Sequence, residues 1–201
     1  MNQFQIWWIV SFVVLLALAW WIGTKTGRGP LGILIDVRGR YSLTHFQLVL
    51  WTIVILSSAI GVLISIGFNP KDFGEFPPKL LGLMGISAGS GVLATSVKAT
   101  KDASGTAKVA RNGTPITRND GTPSTITPQF AQIWLEEEGQ LADQVVDITK
   151  YQNFIFTLVI LGFYVSMAWT RGGLPELPDN VVWLIGISHA GYVGGKLPDK
   201  K

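Results

Sequence analysis

Residues 6–23 read IWWIVSFVVLLALAWWIG, a run without a single charge and with a tryptophan pair at each end, Trp7-Trp8 and Trp20-Trp21. A helix rises about 1.5 Å per residue and the hydrocarbon core of a bilayer is about 30 Å thick, so this run is long enough to span it. Both tryptophan pairs then fall at the membrane–water boundaries, where indole rings anchor. A cleaved signal peptide is the competing reading. No basic residue precedes the run, its apolar part is long for a signal, and Lys25 and Arg28 follow it, so an uncleaved anchor is expected.

Four further apolar stretches lie at about Leu43 to Gly67, Pro77 to Val97, Gln152 to Trp169 and Pro178 to Gly195. The third and fifth spans are glycine-rich, and each begins with a proline, which suits a helix's first turn. Composition agrees with a membrane class: 48% of the chain is hydrophobic and 14% charged, well below the roughly 25% charged residues of a soluble domain. With no cysteine, the chain has no disulfide, thiolate metal site or cysteine nucleophile. The net charge of +3 is explained by where the charges lie, without nucleic acid as a partner.

Thirteen basic residues fall in 24–42, in 98–150 and in 196–201, whereas only Lys71, Lys79 and Arg171 fall in the alternate connections. The positive-inside rule therefore predicts cytoplasmic connectors at 24–42 and 98–150, a cytoplasmic tail at 197–201 and an external N-terminus. The expected location is a bacterial cell membrane. Between spans three and four, residues 99–127 are rich in turn formers and predict a loop or at most a small hairpin. Asn112-Gly113-Thr114 matches a glycosylation acceptor but has no role on the cytoplasmic side. From Thr127-Pro128 the apolar residues Phe130, Trp134, Leu141, Val145 and Ile148 recur at roughly helical spacing. They predict an amphipathic helix running into span four, bent at Gly139, with Glu136, Glu137 and Glu138 on a solvated face.

The chain also repeats itself. Residues 42–56 (SLTHFQLVLWTIVIL) resemble 147–161 (DITKYQNFIFTLVIL), and 75–87 (EFPPKLLGLMGIS) resemble 176–188 (ELPDNVVWLIGIS). The two matches keep their order and nearly their spacing. The fold class expected is an all-α, polytopic membrane protein of five transmembrane helices, with a parallel duplication of a two-helix hairpin. In this division an anchor helix (1–23) and the connector 24–42 precede the first repeat (43–97). The loop and helix of 98–150 then lead to the second repeat (151–196).

Small residues four apart let helices approach closely in lipid, which marks Gly85, Gly89, Gly91, Gly186, Ala190, Gly191 and Gly195 as packing positions. The run Gly85 to Gly91 lacks the lysine and the preceding strand of a phosphate loop. His189 lies near mid-membrane, where an ionisable residue faces a bundle interior or a wet cavity, and its counterpart in the first repeat is Ala88. A neutral imidazole bonded to a neighbouring helix is the simpler reading, and proton or ion handling the sharper one. Gln47 with Gln152 and Glu75 with Glu176 are matched polar pairs, read first as interhelical glue and as carboxylates at helix N-termini. They complete the candidate polar or ion site.

No catalytic or metal-binding motif occurs, and no cofactor is implied. The sequence therefore points to a non-enzymatic membrane anchor or scaffold. Its partners would be the lipid bilayer, further copies of itself or other subunits of a membrane complex, and a cytoplasmic protein docked on 98–150. An oligomeric channel or transporter built around the repeated hairpins is the alternative.

Overall fold

The computed structural model describes residues 1–69, 73–104, 112–117, 121–139 and 141–195. It is helical: α1 (Gln3–Lys25), α2 (Leu43–Ser65), α3 (Pro78–Ser104), α4 (Ile148–Arg171) and α5 (Asp179–Gly194), with a two-stranded hairpin β1 (Pro115–Thr117) and β2 (Pro123–Thr125). The first four helices are long and apolar enough to cross a membrane, which indicates a membrane location. At 16 residues α5 rises only about 24 Å and falls short of that length.

The helix starts follow from their capping residues. Asn2 and Gln5 exchange side-chain and backbone hydrogen bonds at the head of α1. Ser42 caps α2, and the Asp147 carboxylate accepts from Thr149 N and Lys150 N at the head of α4. Gly172, at φ +71°, ends α4 in the left-handed conformation that glycine adopts without strain.

Helix α1 packs on α2 at one end through Trp8, whose Nε1 donates to Ser57 Oγ at 3.0 Å. The contact is close because Gly61 has no Cβ. One built there would lie 3.0 Å from the Trp8 backbone. Trp8 is thus a core residue and not the interfacial anchor expected, whereas Trp7, Trp20 and Trp21 are exposed. The core joins Trp51, Val54, Leu80, Leu83, Ile160, Tyr164 and Ile185 from α2, α3, α4 and α5. Hydrogen bonds link Gln47 to Asn153 and Ser58 to Tyr164, both 106 positions apart, so α2 and α4 run side by side in one direction. Ser90 meets His189 and Ile86 faces Gly186, so α3 and α5 do the same.

The helix expected over 128–150 does not form. Phe130–Ile133 make a short 3-10 turn, and the chain then folds back so that Leu135 pairs with Val146. Gly139 (φ +84°) and Asp143 (φ +63°) both take the left-handed conformation, which a right-handed helix cannot accommodate. The apolar spacing did not mark a buried face: Phe130, Leu141, Val145 and Ile148 are all exposed.

Candidate functional site: a buried ion cluster at the charged end of the bundle

The C-terminal ends of α1, α3 and α5 and the N-terminal ends of α2 and α4 meet at one end of the bundle. Six charged side chains are buried there: Asp36, Arg38, Arg40, Lys98, Glu137 and Lys150. Lys150 is 0% exposed, Arg40 1% and Glu137 3%. Stripping water from an ion costs several kcal/mol, so such groups are tolerated only when paired.

Glu137 is the hub. Its carboxylate accepts from Lys98 Nζ at 3.1 Å, Lys150 Nζ at 2.9 Å and Arg38 Nη1 at 3.3 Å. Asp36 takes the other side of Lys98 at 3.1 Å. Its second oxygen accepts from the backbone N–H groups of Arg38 (2.9 Å) and Arg40 (3.3 Å), folding 36–40 into a tight turn. Lys150 Nζ also donates to Leu135 O at 2.6 Å. Beside the hub, Arg40 Nη2 donates to Asp143 and to Glu136 O, and Gln132 Nε2 donates to the other Asp143 oxygen at 2.9 Å. Lys101 reaches Glu138 at 2.9 Å near the surface. Three segments far apart in sequence, 36–41, 98–101 and 132–150, are thereby fastened to one another.

The hairpin joins the same unit. Asn112 N donates to Arg38 O at 3.1 Å, and its side chain lies where a Cβ on Gly39 would be, 2.7 Å away. Gly39 has φ +75°, so both space and backbone conformation call for glycine. An aromatic group of Tyr41, Phe46, Phe130, Trp134 and Phe154 packs the underside against α2 and α4.

The acidic run is therefore not a solvated face. Glu137 is buried among cations, while Glu138 remains partly exposed. The sequence reading missed the cluster because its members are spread across three segments. The one local signal was Asp36, the first acidic residue of the chain, set among Arg38 and Arg40.

Deeper in the bundle the polar groups are neutral. Gln47 Nε2 donates to Asn153 Oδ1 (3.0 Å) and Thr157 Oγ1 (2.6 Å), and Ser188 Oγ donates to the same Asn153 oxygen at 3.0 Å. His189 is buried and shares a 2.6 Å hydrogen bond with Ser90 through Nδ1. Ser58 and Tyr164 share another at 2.8 Å. The other anticipated polar positions lie apart from this seam. Gln152 is exposed, so Gln47 meets its neighbour Asn153 instead. Glu75 and Glu176 are exposed at the opposite end of the bundle, where Glu176 pairs with Lys79 at 3.4 Å.

Among the packing positions, Gly91 lies tight against α2, where a Cβ would be 2.8 Å from Thr44 Cγ2. A Cβ on Gly186 would lie 3.9 Å from Ile86, and one on Gly195 would lie 3.8 Å from Thr149 Oγ1. Gly85, Gly89 and Gly191 have open space before them, and Ala190 is exposed. Among the described residues no group of three or more His, Asp or Glu side chains is placed to hold a metal ion. Compared with protein-family models, curated proteins and solved structures, the chain matches none.

Proposed function

We propose that this protein is a membrane anchor or scaffold that presents a fixed platform, built from 26–42, 112–117, 121–139 and 141–147, to a partner protein. The observation that carries the reading is the ion cluster on Glu137, which ties connector segments to the ends of α3 and α4. A cluster whose charges are paired at short range is suited to holding shape. On the platform and the adjoining first turn of α4, Leu141, Val145, Val146, Ile148 and Tyr151 leave large apolar surface exposed, as a protein-binding face does.

In this reading α5 is a fifth, short span, and the hairpins α2–α3 and α4–α5 are the two copies of a parallel repeat. The side-by-side, same-direction contacts of α2 with α4 and of α3 with α5 support that arrangement. The excess of basic residues supports a cytoplasmic platform. Cysteines replacing Thr125 and Glu75 test the side: an impermeant thiol reagent on intact cells is expected to label the second alone. The glycines facing open space, Gly85, Gly89 and Gly191, suit contact with a neighbouring copy or another subunit.

A photoreactive residue at Leu141 or Ile148 in native membranes tests the function. The expected result is a discrete adduct with another protein, weakened by Val146→Asp. Lack of any adduct, together with an ion flux from the purified protein in liposomes above that of empty liposomes, would overturn the reading in favour of a channel. The seam from Gln47 to His189 is what such a channel would use.

A further inference from the structure

In the bundle interior some hydrogen bonds do not close within the protein. Trp51 on α2, Ser87 on α3 and Asn153 on α4 are each at most 2% exposed. Among the described residues, Trp51 Nε1, Ser87 Oγ and Asn153 Nδ2 have no hydrogen-bond partner. Native proteins leave few such groups unmatched, because a buried donor without an acceptor costs more than a made bond returns. The three lie at neighbouring levels. Helix α3 runs back along α2 with Gly91 against Thr44 and Leu48, so one turn further on Ser87 comes level with Trp51. Gln47, one turn before Trp51, donates to Asn153.

The surrounding network decides which atoms are donors. Thr157 Oγ1 donates to Asn153 O at 2.8 Å, so its oxygen accepts from Gln47 and fixes which side of that amide carries nitrogen. The same nitrogen donates to Asn153 Oδ1, as does Ser188 Oγ, which leaves Asn153 Nδ2 as a pure donor. Ser90 Oγ donates to Ser87 O at 3.0 Å and therefore accepts from His189 Nδ1. The neutral imidazole then keeps its lone pair on Nε2. The layer thus carries donors at Trp51 and Asn153, an acceptor at His189, and a hydroxyl at Ser87 that serves as either. Water matches this mixture, since it accepts and donates. An anion cannot use the His189 lone pair, and a metal cation cannot use the Trp51 and Asn153 hydrogens.

We propose that the bundle interior is a binding site for ordered water, which accepts from Asn153 Nδ2 and Trp51 Nε1, bonds Ser87 Oγ, and so bridges α2, α3 and α4. The site needs room for single molecules only and no open path through the bundle. It is independent of whether the platform binds a partner.

The full-length protein, labelled with nitrogen-15 and deuterated on carbon, is reconstituted in nanodiscs of deuterated lipid for water-selective NOE and ROE spectra. The Trp51 indole and Asn153 amide signals are identified by their loss in Trp51→Phe and Asn153→Ser, and either signal suffices. Cross-peaks at the water frequency are expected from both, with opposite sign in the two spectra, which separates bound water from exchanging hydrogen. Ser87→Ala removes a bond to the water. It is expected to melt about 2–4 °C below Ser96→Ala, which alters an exposed serine of the same helix. Absence of both cross-peaks, or a Ser87→Ala protein that melts at or above Ser96→Ala, would mean a dry interior and overturn the proposal. Movement of either signal when gluconate replaces chloride would reveal a bound anion and overturn it too.

Discussion

The charged end and the bundle interior solve the same problem differently. At the charged end, Asp36, Arg38, Lys98, Glu137 and Lys150 are withdrawn from water as full charges, each within about hydrogen-bond reach of an opposite one. In the interior, the contacts among Gln47, Asn153, Thr157, Ser188, Ser90 and His189 use neutral groups only. In the proposed membrane arrangement, depth accounts for the difference. A full charge in hydrocarbon is costly even when paired, whereas near the boundary the surrounding backbone and residual water share the load. The comparison teaches that the two regions should respond unequally to loss of a single partner. Ions left behind cost far more than amides left behind.

The largest effect is therefore expected from Glu137→Ala, which strands Arg38, Lys98 and Lys150 without their common carboxylate. A loss of about 3–5 kcal/mol is expected in reversible unfolding in detergent. Glu138→Ala, next in sequence but partly exposed, is expected to cost about 0–1 kcal/mol. Comparable losses for the two would show that the Glu137 pairs are not distinguished by burial.

A middle-sized effect concerns the packing beneath the seam. Gly61→Leu forces a side chain into the Trp8 backbone and is expected to cost about 1–3 kcal/mol. Gly85→Ala meets nothing in the single chain and is expected to gain up to about 1 kcal/mol from helix propensity. A loss at Gly85 instead would reveal a neighbouring helix in the assembled protein. Matched melting curves in detergent and in nanodiscs would read both.

The smallest effects are expected in the neutral seam. Gln47→Ala should cost about 0.6–1.7 kcal/mol, and His189→Ala a similar amount. His189→Asn retains a donor and an acceptor for Ser90 and should be nearly neutral. A His189→Ala loss as large as that of Glu137→Ala would erase the contrast between the regions.

How much of this was legible in the sequence follows the same division. The long helices were readable because lipid demands uncharged runs such as IWWIVSFVVLLALAWWIG, and each begins and ends within a few residues of its expected bounds except α3, which continues to Ser104. The turn formers of 99–127 left a loop and a small hairpin open, and strands 115–117 and 123–125 pair as the hairpin. The platform was not legible. Its glutamates read as solvent-facing because local pattern carries no record of Lys98 and Arg38, which meet Glu137 only after the helices have packed. The break before α4 had a local signal: Asp147-Ile148-Thr149 is a capping sequence, and Gly139 offered the left-handed turn. The apolar spacing from Phe130 to Ile148 suggested a helix instead, although those side chains do not form a buried face. Likewise Trp8 read as an anchor beside Trp7, and its contacts with Gly61 and Ser57 take it into the core.

Backbone amide exchange across residues 134–147, in the intact protein reconstituted in nanodiscs, addresses the platform itself. Glu136 N is bonded to Val145 O, Asp143 N to Glu136 O and Asp147 N to Trp134 O, each at 3.0 Å. If the ion cluster locks this segment to the bundle, these amides should exchange at least about a hundredfold slower than free chain. Glu137→Gln should release them while the cores of α2 and α4 stay protected. Fast exchange across 134–147 in the wild type, or protection unchanged by Glu137→Gln, would contradict a platform fixed by buried charge.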